Sequence, residues 1–538
     1  MADQAAAAGR DGEAASGGFL ERIGAWPIAG IVVTAMVGLT FWQRNVLRLG
    51  YESVWPTLLA ALAIAALVTG LLWLVSRSAA RAGLGAALVA IYLFYAPVLL
   101  EKIGLNYLGT MATHLVMIAL LVFAYRKLPS DRATLRKLAG QINLVVLVLL
   151  AVTAAPLLVR VAQLESGRGT AVEQMPQLAG EASADSPDVW HILFDRYASN
   201  ATLQRQYGFD NTPFLDALRA RGFAVKEDAY SNYQRTGHSV ASTMNGALLD
   251  PVAATMDEEP GDWVPIYRVM RDGAALRAFD RMGYRTVFAG SWWEPTRFSN
   301  IASDTISIRT VPQMTRLLID HSAIGFWLRP LAIPMVDGRG DQCFRASEKF
   351  RRLAEVAQRD ERKQVFAHFL VPHPPFVLNA DGTCRALDDA VEGSRRDNYI
   401  AQVRFSNANM LTLVDAILAG PRPATIVIHS DEGPWPAPYV GNEHGLGTDP
   451  VQVPWTELTR PQLEEKFGIL MAVRTPDGAP PETMPQSPVQ IYPAILRDYF
   501  GSGAPLPPSR HEVFESDDAL YRFHDVAGRL GQSAQAAR

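Results

Sequence analysis

Residues Thr425–Pro436 read TIVIHSDEGPWP. An apolar, β-branched run stops abruptly on two adjacent carboxylates, Asp431 and Glu432, with His429 two residues before the first of them. The run has the length and composition of a buried β-strand, and Gly433-Pro434 marks a bend directly after it. Paired acids at a strand end suit a hard cation. They are also ordinary turn residues. What the rest of the chain brings to the same place separates the two readings.

Working outward, NYIAQVRFSNANMLTLVDAILA (398–419) carries apolar residues at helical spacing, and NTPFLDALRARGF (211–223) is a second amphipathic helix ending at Gly222. DVWHILF (188–194), YRTVFAG (284–290) and QVFAHFLV (364–371) have the texture of buried strands, as does the later KFGILMAVRTP (466–476). Strands alternating with amphipathic helices predict an α/β domain whose mainly parallel sheet is covered by helices on both faces. In such sheets ligands bind beyond the carboxyl ends of the strands.

The first 160 residues are different. Apolar runs at 23–42, 54–76, 82–100, 107–125 and 141–160 each approach the ~20 residues that cross a bilayer, which predicts an α-helical domain of five transmembrane helices. Trp26 and Trp42 flank the first run as interfacial aromatics do. No short cationic start with a small-residue cleavage site precedes it, so a removable signal peptide is not expected. Arg126, Lys127, Arg132, Arg136 and Lys137 form the densest basic cluster of this half, which places that loop and the amino terminus in the cytoplasm. Five crossings then put the rest of the chain outside.

The expected order is a cytoplasmic tail (1–22), the membrane domain (23–161), a small and polar linker (162–187), an extracytoplasmic domain (188–525) and a disordered tail (526–538). An apolar fraction of 49% and a charged fraction of 19% fit a multi-pass membrane protein, and a net charge of −4 argues against nucleic acid as a partner. His114 is nearly the only ionisable residue inside the runs, which leaves no evident translocation path. Cys343 and Cys384 either pair, as an extracytoplasmic location permits, or stand as two thiols.

Four pieces carry candidate chemistry. Asp195 and Asp431 each end a strand and together suit one cation; singly, each reads equally as a cap. Thr236, in NYQRTGHSVASTMNGALL (232–249), stands at a helix start, where a hydroxyl is either a metal-activated nucleophile or a helix cap. His373 sits between prolines in FLVPHPPF (369–376), within reach of a phosphate or leaving-group oxygen if the strand ends converge.

Taken in order, PDVWHILFDRYASN, NTPFLDALRARGFAVKEDAYSNYQRTGHSVASTMNG, VFAHFLVPHPPF and IVIHSDEG resemble the sulfatase branch of the alkaline-phosphatase superfamily over about 320 residues. Apolar spans before an outward domain are also the plan of lipoteichoic acid synthases and phosphoethanolamine transferases. The resemblance implies Asp195 as a metal ligand and Thr236, with Ser239 three residues on, at the nucleophile position. It further implies Asp431 and Glu432 as ligands, where the family usually reads Asp-His-Gly. Glutamate there shifts the expected cation from zinc towards Mn or Mg, with Ca or Zn as alternatives, unless His429 or His444 supplies an imidazole. Arg196 replaces the usual second acid, which disfavours a two-metal phosphatase, and Thr236 in place of the modified cysteine disfavours a sulfatase proper. Trp292, Trp293 and Arg297 resemble in kind the residues that position phosphoglycerol in lipoteichoic acid synthases; a packed turn is the alternative.

The resulting expectation is a membrane-anchored, metal-dependent phosphotransferase. It would move a phosphoglycerol- or phosphoethanolamine-type group from a lipid phosphodiester donor to an envelope glycan or lipid through phospho-Thr236, at the inner membrane with its domain in the periplasm. A phosphodiesterase or sulfuric-ester hydrolase of the same fold, and a non-catalytic envelope-assembly protein, are the competing expectations.

Overall fold

A computed structural model describes residues 18–256, 260–440 and 454–530. They form two compact units: Met1–Glu165 with Val311–Val336, and Ser166–Thr310 with Asp337–Arg538.

The first unit is built on helices Ala29–Asn45, Tyr51–Ser76, Ala79–Ile103, Tyr107–Arg126 and Arg132–Glu173. The last four are long and apolar enough to cross a membrane; the first has 17 residues. Five such spans were expected, and four meet that test. Ser78 and Asn106 cap two of the helices by accepting from Arg81 N and Gly109 N. Leu67, Val116 and Phe123 point outward and stay exposed, the reverse of a water-soluble bundle.

Two boundaries differ from expectation. The apolar run at 141–160 lies inside a 42-residue helix that continues through ESGRGTAVE. Residues 166 onward then join the second unit: Ala171, Met175 and Leu178 are core residues, and Arg168 meets Asp262 at 2.7 Å with both side chains fully buried. The stretch 162–187 is therefore not simply a linker. Small residues look flexible in sequence, but here the apolar ones among them are buried. Val311–Val336 also leaves the expected 188–525 domain and belongs to the first unit. At the carboxyl end, Val526 and Leu530 are buried, and residues 531–538 lie outside the described residues.

The second unit holds a seven-stranded sheet. Its strands are β1 (Asp188–Asp195), β2 (Phe223–Val225), β3 (Arg285–Ala289), β4 (Asp304–Thr305), β5 (Lys363–Pro372), β6 (Ala424–Ser430) and β7 (Met471–Arg474), in the order β2-β7-β6-β1-β5-β3-β4. β6, β1, β5, β3 and β4 are mutually parallel, while β7 runs antiparallel to β6 and β2. β1 lies at the centre, buried at every position, and its two neighbours end level with it. One apolar cluster covers each face. Asp195, Asp431 and His373 thus emerge from the same edge of three adjacent strands.

Candidate active site

β1 ends on Asp195, where its pairing with β5 shifts register so that Asp195 lies opposite Pro372. The next residue, Arg196, has a φ of 62°, a left-handed conformation uncommon outside glycine. That turn aims its backbone N–H at Asp431 Oδ1 (3.1 Å). Asp431 follows β6 directly. Its Oδ1 also accepts from Glu432 N (2.8 Å), and Thr236 lies near enough to Asp431 to favour its charged form. Thr236 is the first residue of helix Thr236–Asn245, whose cap position is Arg235. The cap reading of Thr236 therefore fails. Gly237 leaves room for Trp263, from which a Cβ would lie 3.1 Å.

Glu432 is 1% exposed and faces two cations, Lys466 Nζ at 2.7 Å and Arg196 Nε at 3.1 Å. Lys466 itself is fully buried, and burial lowers its pKa to about 8 against the raising effect of Glu432. The guanidinium carbons of Arg196 and Arg235 lie 5.0 and 5.1 Å from the Trp435 ring centroid, and Lys466 Nζ lies 5.5 Å from it. Trp455 adds a second ring, 5.9 Å from Arg235 and 5.7 Å from Lys466. Three cations thus share one aromatic wall, and Arg235 among them directly precedes Thr236 in the chain.

Burial dominates the electrostatics of the carboxylates. It pushes Asp195 up to about 7, with Arg196 acting in the opposite sense, and it raises Asp431 well above the carboxylate range with help from Asp195 and Glu432. His368, in the middle of β5, faces the same acids: its Nε2 is 3.7 Å from Asp195 Oδ2, and Thr296 Oγ1 lies 2.9 Å from its Nδ1. Burial holds that imidazole down at about 3, hence neutral.

Do these residues fit the divalent cation that the fold family implies? Asp195 Oδ1, Asp431 Oδ2, Glu432 Oε2 and His368 Nε2 are all buried without a hydrogen-bond partner. Among the described residues, however, no three His, Cys, Asp or Glu side chains are grouped as a ready metal cage. Orphaned oxygens on both aspartates, next to a threonine hydroxyl, suit a cation that takes one or two carboxylates and completes its shell with water and substrate, as Mg does. Glu432 fits less well, since its Oε1 is committed to Lys466 and Arg196. No imidazole substitutes through His429. Its Nε2 meets His191 Nε2 at 2.6 Å and its Nδ1 meets Ser430 O at 2.9 Å. His444 lies outside the described residues.

The other expected site residues take varied places. His373, whose Nδ1 meets Pro374 O, has Arg196, Lys466 and His368 among the groups that depress its pKa after burial itself. Ser239 donates to the Asp431 carbonyl at 2.6 Å, fixing the strand end. Trp293 packs edge-on against Tyr267 and His368, at 5.6 and 6.5 Å. Trp292 lines a small cavity with Lys349 and Phe369. Arg297 pairs through both Nε and Nη2 with Glu294, at 2.8 and 3.0 Å, so its fork is occupied. Cys343 and Cys384 form a disulfide with Cα atoms 5.6 Å apart. Lys466, Arg235, His368, Trp435 and Trp455 were not singled out from sequence. A histidine within the apolar stretch of β5 was a signal for His368, shared by His191 in β1 and His429 in β6.

Several solved structures are similar to this chain. The C-terminal periplasmic domain of EptC from Escherichia coli, in complex with Zn, is 12% identical with a TM-score of 0.42, covering 67% of this chain and all of that one. The integral membrane lipooligosaccharide phosphoethanolamine transferase A of Neisseria meningitidis is 10% identical with a TM-score of 0.36, covering 87% of this chain and 95% of that one. BT1596, a 2-O GAG sulfatase, is 14% identical with a TM-score of 0.36, over 60% of this chain and 72% of that one. None of the curated proteins matches. The Sulfatase family model matches residues 187–463, more than half of the chain and all of β1 to β6 with the acids that follow them. Behind its apolar helices, this chain belongs to the sulfatase family.

Proposed function

We propose that the chain is a phosphotransferase in which Thr236 takes a phospho-group from a membrane lipid and passes it to an envelope glycan or lipid. The observation that carries this reading is Thr236 beside buried Asp431, with Arg196, Arg235 and Lys466 gathered on one aromatic wall. Cations there offset charge on phosphoryl oxygens, and they strengthen as the site excludes water.

In the first half-reaction the Thr236 Oγ–P bond forms, the lipid O–P bond breaks, Thr236 loses its proton, and the departing alkoxide gains one. In the second half, an acceptor hydroxyl displaces Thr236 and the proton returns. Arg196 and Arg235 orient the phosphoryl oxygens, while Lys466 and Arg196 hold Glu432 in place. Ser239 fixes the Asp431 backbone. A divalent cation, Mg or Mn before Ca or Zn, would be held by Asp195, Asp431 and Thr236 and would supply charge to the Thr236 hydroxyl and the phosphoryl group. The phospho-group is of phosphoglycerol or phosphoethanolamine type. In this proposal five spans place the amino terminus in the cytoplasm and the second unit in the periplasm.

A second reading has a specific observation behind it. Glu432, engaged with Lys466 and Arg196, fills part of the family's usual ligand set with an internal ion pair, as a non-catalytic binding protein would tolerate.

One experiment separates the two. The full chain, purified without chelator, is assayed for bound metal beside Asp195→Asn and Asp431→Asn, then incubated with phosphatidylglycerol or phosphatidylethanolamine and weighed intact. The enzyme reading expects about one cation per chain, lost in both variants, and a phospho-adduct absent from Thr236→Ala. Absence of both cation and adduct in the parent leaves the binding protein.

A further inference from the structure

The first unit contains an apolar groove of about 290 Å³. Ala61 and Ala65 of helix Tyr51–Ser76 face Ala86 and Ala90 of helix Ala79–Ile103 across it, and Leu318 and Ile319 of the Val311–Val336 insert close one side. Alanines on the two helices leave the space that longer side chains would fill.

The hydroxyls on its walls are already engaged. Thr34 Oγ1 donates to Gly30 O (2.9 Å), Thr57 and Thr315 bond each other (2.7 Å), and Ser322 donates to Ile319 O (2.9 Å). The Thr57–Thr315 bond also fastens the insert to the helix it covers. An ordered water needs two to four polar partners, and a polar ligand needs donors or acceptors still available. Three of these four hydroxyl protons are spent within the protein, and the rest of the lining is alanine, valine, leucine, isoleucine and phenylalanine, so the occupant is apolar.

Leaving the groove empty carries a cost that grows with its volume. Both walling helices are long and apolar enough to cross a bilayer, so hydrocarbon is the medium at the open side, where Ile64 is exposed. A helix of a second copy is ~10 Å wide with its side chains and does not enter a slot of this size. We infer that the groove holds one acyl chain of a bilayer lipid, with the insert as its clasp. The site is independent of the chemistry proposed at Thr236.

The test uses the full chain in nanodiscs of phosphatidylcholine and phosphatidylglycerol, doped with phosphatidylcholine bearing a diazirine near the end of one acyl chain. After irradiation, labelling per residue at 57–68, 86–94 and 315–324 is expected to exceed that around the outward-facing Leu120 and Phe123 by about fivefold or more, as a preferred site requires. Ala61→Phe with Ala90→Phe, which fills the groove, is expected to bring it down to the Leu120 level, whereas Thr236→Ala leaves it unchanged. Labelling no stronger than at Leu120 and Phe123, or undiminished in the filled variant, overturns the inference. If the double variant does not elute as a single species, Ala61→Leu takes its place, with a partial loss expected.

Discussion

Inside the second unit, the Glu432 carboxylate meets Lys466 at 2.7 Å with both side chains at 1% exposure or less, and Arg196 joins them at 3.1 Å. Taking such charges out of water is costly, and the pair persists because each offsets the other. Lys466→Met should therefore destabilise the unit by ~3–5 kcal/mol, because it leaves a buried carboxylate with one partner. Adding Glu432→Gln should recover part of that loss. Urea unfolding followed by tryptophan fluorescence reads both, and a Lys466→Met chain as stable as the parent would show that the pair holds nothing. Asp195 and Asp431 were legible as strand-end acids because an acid closing an apolar run stands out by itself. Lys466 was not. It opens the run KFGILMAVRTP that reads as a strand, whereas it ends a helix, and only its position under Trp435 and Trp455 reveals a buried cation.

Among the elements, β1, β3, β5 and β6 lie within a residue or two of where their apolar runs predicted them, since a short, wholly buried run bounded by polar residues has few other uses. The direction of β7 was not legible. A buried strand reads alike in either orientation, and its antiparallel pairing with β6 comes from the path of the intervening chain. The disulfide between helix Gly338–Ala357 and the segment after β5 closes a sequence separation of 41 residues. Replacing both Cys343 and Cys384 by serine is expected to cost ~2–4 kcal/mol through the greater freedom of the unfolded chain. Denaturation with and without reductant checks this; a parent insensitive to reduction would contradict it.

Across the whole second unit, burial keeps several imidazoles neutral. His191 is held well below 6.5, with burial as the largest cause and His429 the next; burial likewise brings His238 to about 3 and His429 to about 4. An unfolded chain protonates all three near 6.5, so between there and about 4 the unfolded state binds more protons than the folded one. The contribution of these three rings is complete above pH 6.5 and declines as pH falls, by up to ~1.4 kcal/mol per pH unit for each imidazole, while the raised Asp195 and Asp431 act in the opposite sense over the same window. Urea midpoints at pH 7 and pH 5 should differ accordingly, with a smaller difference in His238→Gln. A pH 7-to-5 change in midpoint identical in the parent and in His238→Gln would show that this ring is not held neutral.

By itself the sequence determined the division into an apolar helical part and an α/β part, the central strands, and the acids at two strand ends. Each of these follows from local composition and periodicity, which a linear chain displays directly. The tertiary structure alone decided that Arg196, Arg235 and Lys466 share one aromatic wall, that Glu432 faces cations, and that residues 311–336 join the membrane helices. Those outcomes depend on which distant segments exclude water together. Burial is a property of the assembled surfaces and is written in no single stretch of chain.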